Sequence, residues 1–322
     1  TILQALMNAS ASLVLIRING GTAMMRILGI VGVQVCICVP IIVFQFCKGK
    51  EFFSKEYWGY ALRIGIPIVP HYLSGIILNQ GDRIMIDKMV GKTEVALYGL
   101  AYSIGMLVQL FISGMNSALT PWMYSKIKKG DIRSMRKVLQ LLSVVVVGIA
   151  VALMLISPEL VLIFGSPKYR EAVYVIPPVA ASVFFIFIYN ILSMPQFYYE
   201  KTQFLMAASM AAAGANVVLN FIFIRLFGYI AAGYTTLACY MLYSVGHYIV
   251  SKRILVNEGI QENLMNPGFL LACSVFLIGA SIICNLIFPY RILRYAILLA
   301  SAGLVFWKKE LLLKTMADIR KK

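Results

Sequence analysis

A chain of 322 residues, 61% of them hydrophobic and only 13% charged, with mean hydropathy +0.84, carries more apolar surface than one soluble core can hide. These proportions exclude a soluble enzyme, a disordered chain and a disulfide scaffold. The formal charge is +16, but most Lys and Arg lie between apolar runs, where they orient helices in a bilayer rather than hold nucleic acid.

The apolar runs are continuous, which predicts an all-α, polytopic helical membrane protein and not a barrel of alternating strands. Thr1–Ile16 is uncharged but shorter than the roughly 20 residues a span needs. It reads as the back half of a membrane helix, and the expectation is a protein truncated at its amino end. Uncharged runs follow at Ile27–Cys47, Ile64–Gly81, Val95–Ser125, Val138–Ser157, Ala172–Tyr199, Thr202–Ile224, Leu226–Ser251, Asn263–Tyr290 and Tyr295–Trp307. The last is short and spans if Arg294 and Lys308 snorkel to opposite interfaces. The prediction is nine transmembrane helices plus the truncated first one. Trp307–Lys322 reads as a positively charged stop segment. The six cysteines, Cys36, Cys38, Cys47, Cys239, Cys273 and Cys284, lie in or beside apolar runs without metal-ligand spacing. They read as small hydrophobes, with neither a structural disulfide nor a metal expected.

Basic residues set the orientation. Loops holding Lys48, Lys50 and Lys55, the stretch Lys126–Lys137, Lys201, Lys252 and Arg253, and the tail contain 18 of the 29 Lys and Arg. The alternate loops contain 10, including Arg83, Lys88 and Arg170, and Arg63 lies near the cytosolic end of its helix. The richer set belongs in the cytoplasm, and the carboxyl terminus with it.

No HExxH, GxSxG, Walker A or CxxC pattern is present, so no enzyme chemistry is legible. No cofactor is expected. Energy would come from an H+ or Na+ gradient or from the membrane potential. Polar groups inside apolar helices then carry the interest, because lipid makes them costly unless they face a bundle interior or a water-filled path. Trp58–Met89 is the most polar such segment. Pro67 and Pro70 remove backbone donors and predict a bend beside His71 and Tyr72. Asn79, Arg83 and Asp87 share one helical face. Arg83 has two open readings: a planar fork for a phosphate or carboxylate, with Asp82 or Asp87 holding it, or an Arg83–Asp87 ion pair at the outer interface. For His71, a hydrogen-bonded histidine inside the bundle is the plainer reading. Gln109 and Asn116, seven apart, fit interhelical hydrogen bonds or a sugar-binding wall. Asn216 and Asn220 sit at i, i+4 after the small-residue run Ala207–Ala215, where packing is the plainer reading. Pro177-Pro178 and Pro195 mark bends in their helix, and Tyr234, Tyr240 and Tyr243 read as packing.

Tyr57–Lys88, with its Ile-Pro-Ile-Val-Pro-His-Tyr-Leu-Ser core and the later Gly-Asp-Arg-Ile-Met-Ile-Asp, resembles polysaccharide flippases of the Wzx type. These belong to the multidrug/oligosaccharidyl-lipid/polysaccharide exporter superfamily. Ala96–Ile104 and Asn116–Lys129 resemble them too. The resemblance implies a 14-helix, two-lobe transporter with both termini cytoplasmic, in which the present helices are the sixth to the fourteenth and Thr1–Ile16 is the remnant of the fifth. It implies three parts: 1–56 from the first lobe, 57–251 as a complete second lobe, and 252–322 as two further helices and a basic tail. The implied function is to move an undecaprenyl-diphosphate-linked oligosaccharide unit across the bacterial cytoplasmic membrane, without enzyme activity. Partners would be that lipid-linked substrate, membrane lipids, and the polymerase and chain-length proteins of surface polysaccharide assembly. Asp82 and Arg83 match the family pattern, and Arg63 is a weaker match. Two alternatives stand beside this: an ion-coupled multidrug exporter, which wants mid-helix carboxylates that the sequence reading does not find, and a polymerase or glycosyltransferase, for which the longest outer loop offers only Glu159 and Glu171.

Overall fold

The computed structural model describes residues 2–18, 23–50 and 53–307. The described residues form eleven α-helices and no strand: α1 (Ile2–Ile18), α2 (Ala23–Gly49), α3 (Lys55–Met89), α4 (Lys92–Gly105), α5 (Leu107–Lys128), α6 (Ile132–Phe164), α7 (Ile176–Tyr198), α8 (Thr202–Phe227), α9 (Ile230–Asn257), α10 (Pro267–Ile287) and α11 (Arg291–Trp307). A 3-10 segment, Pro167–Val175, leads into α7. The chain is an all-α polytopic membrane protein. Six of its helices are long and apolar enough to cross a bilayer, and α4 with α5, bent by 40° at their junction, make a seventh. Helix α9, rich in Tyr, Thr and Ser, and the 17-residue α11 fall outside that set. The tail from Lys308, with its basic cluster, lies outside the described residues.

Two compact units divide between Arg63 and Ile64. In the first, α1 and α2 pack against each other. A Cβ on Gly29 would stand 2.7 Å from the Ser12 backbone, so only glycine lets the helices cross this closely. Gln4 donates to Gln34 across the same pair at 2.5 Å, giving two polar side chains in apolar helices a partner.

In the second unit, α7 is the central helix. It is buried along almost its whole length, as a helix apolar on every face must be. It packs on α5, α6, α9 and α10. Pro177 and Pro178 do not bend it. They occupy its first turn, where a missing N–H breaks no intrahelical bond. Helix α3 likewise runs unbroken through Pro67 and Pro70, and Ser74 Oγ donates to the Pro70 carbonyl at 2.7 Å. The break falls instead in the Val95–Ser125 run, which carries no charge to mark it. A Cβ on Gly105 would lie 2.7 Å from Val179 Cγ1, so the last residue of α4 sits close against α7.

Arg294 does not snorkel to the interface. It is 3% exposed and forks onto Glu159, both contacts at 2.8 Å, and its guanidinium also donates to the Leu155 carbonyl at 2.7 Å. Tyr295 completes the carboxylate at 3.0 Å. Glu159 therefore belongs to α6 rather than to an outer loop, and the pair fastens α11 to the bundle.

Candidate functional site

Two features of the second unit share the last third of α3 and point in different directions around it. Successive helical residues differ by about 100° in direction, so Asp82 and Arg83, adjacent in sequence, serve separate surroundings.

Asp82 points into the protein and is completely buried. Tyr98 of α4 donates to its Oδ2 at 2.5 Å and Thr236 of α9 to the same oxygen at 2.7 Å. Asn220 of α8 donates to its Oδ1 at 2.5 Å. Asn220 also bonds Asn216 at 3.1 Å and accepts from Thr235. Four helices thus converge on one carboxylate, and every donor is neutral. Among the described residues the ion pairs are Lys126–Asp131 and Arg294–Glu159; Asp82 has no cation of its own. Asn216 keeps a buried amide nitrogen without a partner at the edge of this cluster. Asp82 therefore does not hold Arg83, and it is a carboxylate buried within a helix two turns from its end, although no mid-helix carboxylate was expected from the sequence.

Arg83 lies on the neighbouring face, half-buried. One amino group donates to Gln80 at 2.8 Å, and the guanidinium carbon stands 5.2 Å from the Tyr102 ring centre. Its Nε is buried and unpartnered. Asp87 is exposed and forms no ion pair with Arg83, so the interface-pair reading does not hold.

One turn away from Arg83 a cavity of about 620 Å³ opens, lined from α3 by His71, Tyr72, Asn79 and Gln80, from α4 by Tyr102, and from α7 and α9 by Tyr189, Asn190, Ser193 and Tyr243. Its walls are ordered by hydrogen bonds that run between helices. Tyr102 donates to Asn79 at 2.8 Å. Tyr243 Oη and Ser209 Oγ each lie 3.1 Å from His71 Nδ1. Tyr189 stacks on Tyr243 with ring centres 4.4 Å apart, and Tyr243 in turn meets His247 at 4.6 Å. The two histidines, far apart in sequence, thus flank one tyrosine. His71 is hydrogen-bonded inside the bundle, as its plainer reading had it, and it also faces the cavity.

The structure brings His71, Tyr72 and Asn79 together in the lining, with Arg83 beside it. It leaves out Arg63, which is exposed, Asp87, and Gln109 and Asn116 of α5, neither of which lines the cavity. Gln109 has a buried, unpartnered Oε1. Sequence reasoning missed Tyr98, Tyr189, Asn190, Tyr243 and Thr236. It also gave Asn216 and Asn220 a packing role. The signal was present: two asparagines a turn apart and two successive threonines in apolar helices all need partners in lipid.

A model of the family described as polysaccharide biosynthesis protein matches residues 1–128, and the MatE model matches residues 67–222. Together the two matches, over residues 1–222, make the chain similar to transporters of the multidrug/oligosaccharidyl-lipid/polysaccharide exporter superfamily. The overlap of the two models, residues 67–128, contains Asp82, Arg83 and more than half of the cavity lining. Lsg locus protein 1 of Haemophilus influenzae is 28% identical over 172 residues, half of this chain and 41% of that protein. An uncharacterized membrane protein of the same organism is 29% identical over 191 residues, 55% of this chain and 46% of that one. The chain thus spans less than half the length of these relatives. No solved structure matches. The matches point to a transporter rather than an enzyme.

Proposed function

We propose that this chain acts in a flippase that carries a lipid-diphosphate-linked oligosaccharide unit across the bacterial cytoplasmic membrane for surface polysaccharide assembly. The observation that carries this is the pairing of adjacent residues with opposite tasks. Arg83 offers an unpaired cation beside a polar cavity, which suits a diphosphate. Asp82 offers a buried carboxylate with neutral donors only, and a carboxylate buried without a cation is costly. A coupling cation, H+ or Na+, would offset that cost, and its binding would then bias the helices α3, α4, α8 and α9 that converge there. Alternating access in such transporters rocks one helical lobe against another about a site near the bilayer midplane. The polysaccharide-biosynthesis match and the basic-residue asymmetry support this placement, with the carboxyl end in the cytoplasm. Polymerase and chain-length proteins would take the product on the outer face.

A second reading, ion-coupled export of a small cationic drug, is favoured by the MatE match and by Asp82. One assay separates the two. Proteoliposomes carrying a fluorescent lipid-diphosphate disaccharide are given a pH or Na+ gradient, and its movement between leaflets is followed by external quenching. Gradient-driven movement that Asp82→Asn abolishes supports the flippase. Transport of ethidium without lipid movement supports the second reading and overturns the first.

A further inference from the structure

We infer that a groove between α7, α9 and α10 binds an anionic phospholipid of the cytoplasmic leaflet, with an acyl chain in the groove and the phosphate on Arg136. The inference does not depend on what the protein carries. Helix α10 buries side chains fully only in its second half, at Leu277, Ser281 and Cys284. Beside its first half lies a cavity of about 270 Å³, walled by Phe184, Phe185 and Ile188 of α7, Met241 and Val245 of α9 and Leu270 of α10. The two serines in its lining are spent inside their own helices. Ser244 donates to the Met241 carbonyl at 2.9 Å and Ser274 to the Leu270 carbonyl at 2.7 Å. What they leave is a hydrocarbon surface. Val245 and Leu271 at its rim are 55% and 66% exposed, so in a bilayer the groove opens to lipid.

A cation stands at the mouth of this groove. Arg136, in the second turn of α6, donates from Nε to the carbonyl of Asn263 at 2.7 Å, in the loop just before α10 begins. Tyr248, which lines the groove, is near enough to feel the Arg136 charge. Among the described residues the two amino groups of Arg136 have neither a hydrogen bond nor an ion pair. Glu258 and Glu262, the acidic residues of the same loop, are exposed and do not pair with it. Half-buried and held by its Nε, the guanidinium keeps a free edge that suits a phosphate. On the orientation that the basic residues give, this end of the bundle faces the cytoplasm. Anionic lipid is concentrated in that leaflet, and basic pockets between helices take its headgroups. Apolar burial and electrostatic attraction then act on the same molecule. The groove shares no lining residue with the polar cavity beside Arg83. Its occupant is therefore a resident lipid that ties α10 to α6, α7 and α9, not the cargo.

The test is lipid binding to the full-length protein, purified from its host and delipidated in detergent, read by native mass spectrometry. Four probes are titrated: dioleoyl phosphatidylglycerol, dioleoyl phosphatidylcholine, glycerol 3-phosphate and a polyprenyl diphosphate. Phosphatidylglycerol should bind about tenfold or more tighter than phosphatidylcholine, the equivalent of one charge-assisted contact. Glycerol 3-phosphate should not bind at the same concentrations, because it has no chain to bury. Arg136→Gln should bring the two phospholipids to equal affinity. Val245→Trp fills the groove from an exposed position without opening the core, and should weaken both. Equal affinities in the unaltered protein, headgroup binding as tight as that of the whole lipid, or unchanged phosphatidylglycerol binding in Val245→Trp would overturn the site. Displacement of phosphatidylglycerol by the polyprenyl diphosphate would also overturn it, by assigning the groove to the cargo. If Arg136→Gln does not fold, Val245→Trp and the four probes decide alone. The flippase reading stands or falls separately, on gradient-driven movement between leaflets.

Discussion

Asn220 donates to the carboxylate of Asp82 at 2.5 Å, although 138 residues separate them. The bond ties α8 to α3. Tyr98 and Thr236 bring α4 and α9 to the other carboxylate oxygen, so a single buried anion organises four helices.

Replacing Asp82 therefore tests coupling and packing at once. Asp82→Asn removes the charge with little change in shape but leaves one of the converging donors without an acceptor. A loss of about 1–3 kcal/mol in unfolding free energy is expected. Transport should fall further than abundance does, and its dependence on the imposed gradient should vanish. Substrate flux in proteoliposomes, normalised to protein, measures this. Full gradient dependence in Asp82→Asn would remove Asp82 from the coupling step.

Arg83 and Asp87 should behave differently, because the structure puts no ion pair between them. Arg83→Ala should lower export per molecule roughly tenfold or more, the equivalent of one charge-assisted contact of about 1.5–3 kcal/mol. Arg83→Lys should recover only part, since a point charge cannot fork. Asp87→Ala should leave export near the wild-type level. Equal loss in both alanine variants would restore the ion-pair reading.

The Arg294–Glu159 pair should be structural. Its side chains are 4% and 25% exposed. Glu159→Gln strands a buried guanidinium and is expected to cost about 3 kcal/mol, read from thermal unfolding in detergent. A double change, Glu159→Leu with Arg294→Met, should recover most of it, because no unpaired charge is left. A double variant as unstable as the single one would show that the fork itself, with its bond to the Leu155 carbonyl, holds α11 in place.

Orientation can be checked with single cysteines in a cysteine-free background. Lys129 and Val90 are exposed at opposite ends of the span made by α4 and α5. An impermeant thiol reagent added to intact cells should label Val90→Cys and spare Lys129→Cys. The reverse pattern would invert the topology drawn from the basic residues.

Composition and apolar run length were enough to decide the class, because an apolar run in lipid has almost no choice but a helix. They placed nearly every element, and a local motif was enough to mark Asp82 and Arg83. What the sequence left undecided is which way each polar side chain turns and whom it meets. Arg294 looked like an interface residue until Glu159 stood opposite it. Asp82 looked like a partner for Arg83, yet the helical turn sends the two to different surroundings. The break after Gly105 falls where α4 comes close to Val179 on another helix, a contact that no local run of residues records. Asn216 and Asn220 passed for packing residues and Thr236 drew no notice, because the acceptor that Asn220 and Thr236 share lies more than a hundred positions upstream. A buried polar group must find its partner somewhere in the fold, but the sequence records only that a partner is needed. The packing of α3, α4, α8 and α9 decided that it is Asp82.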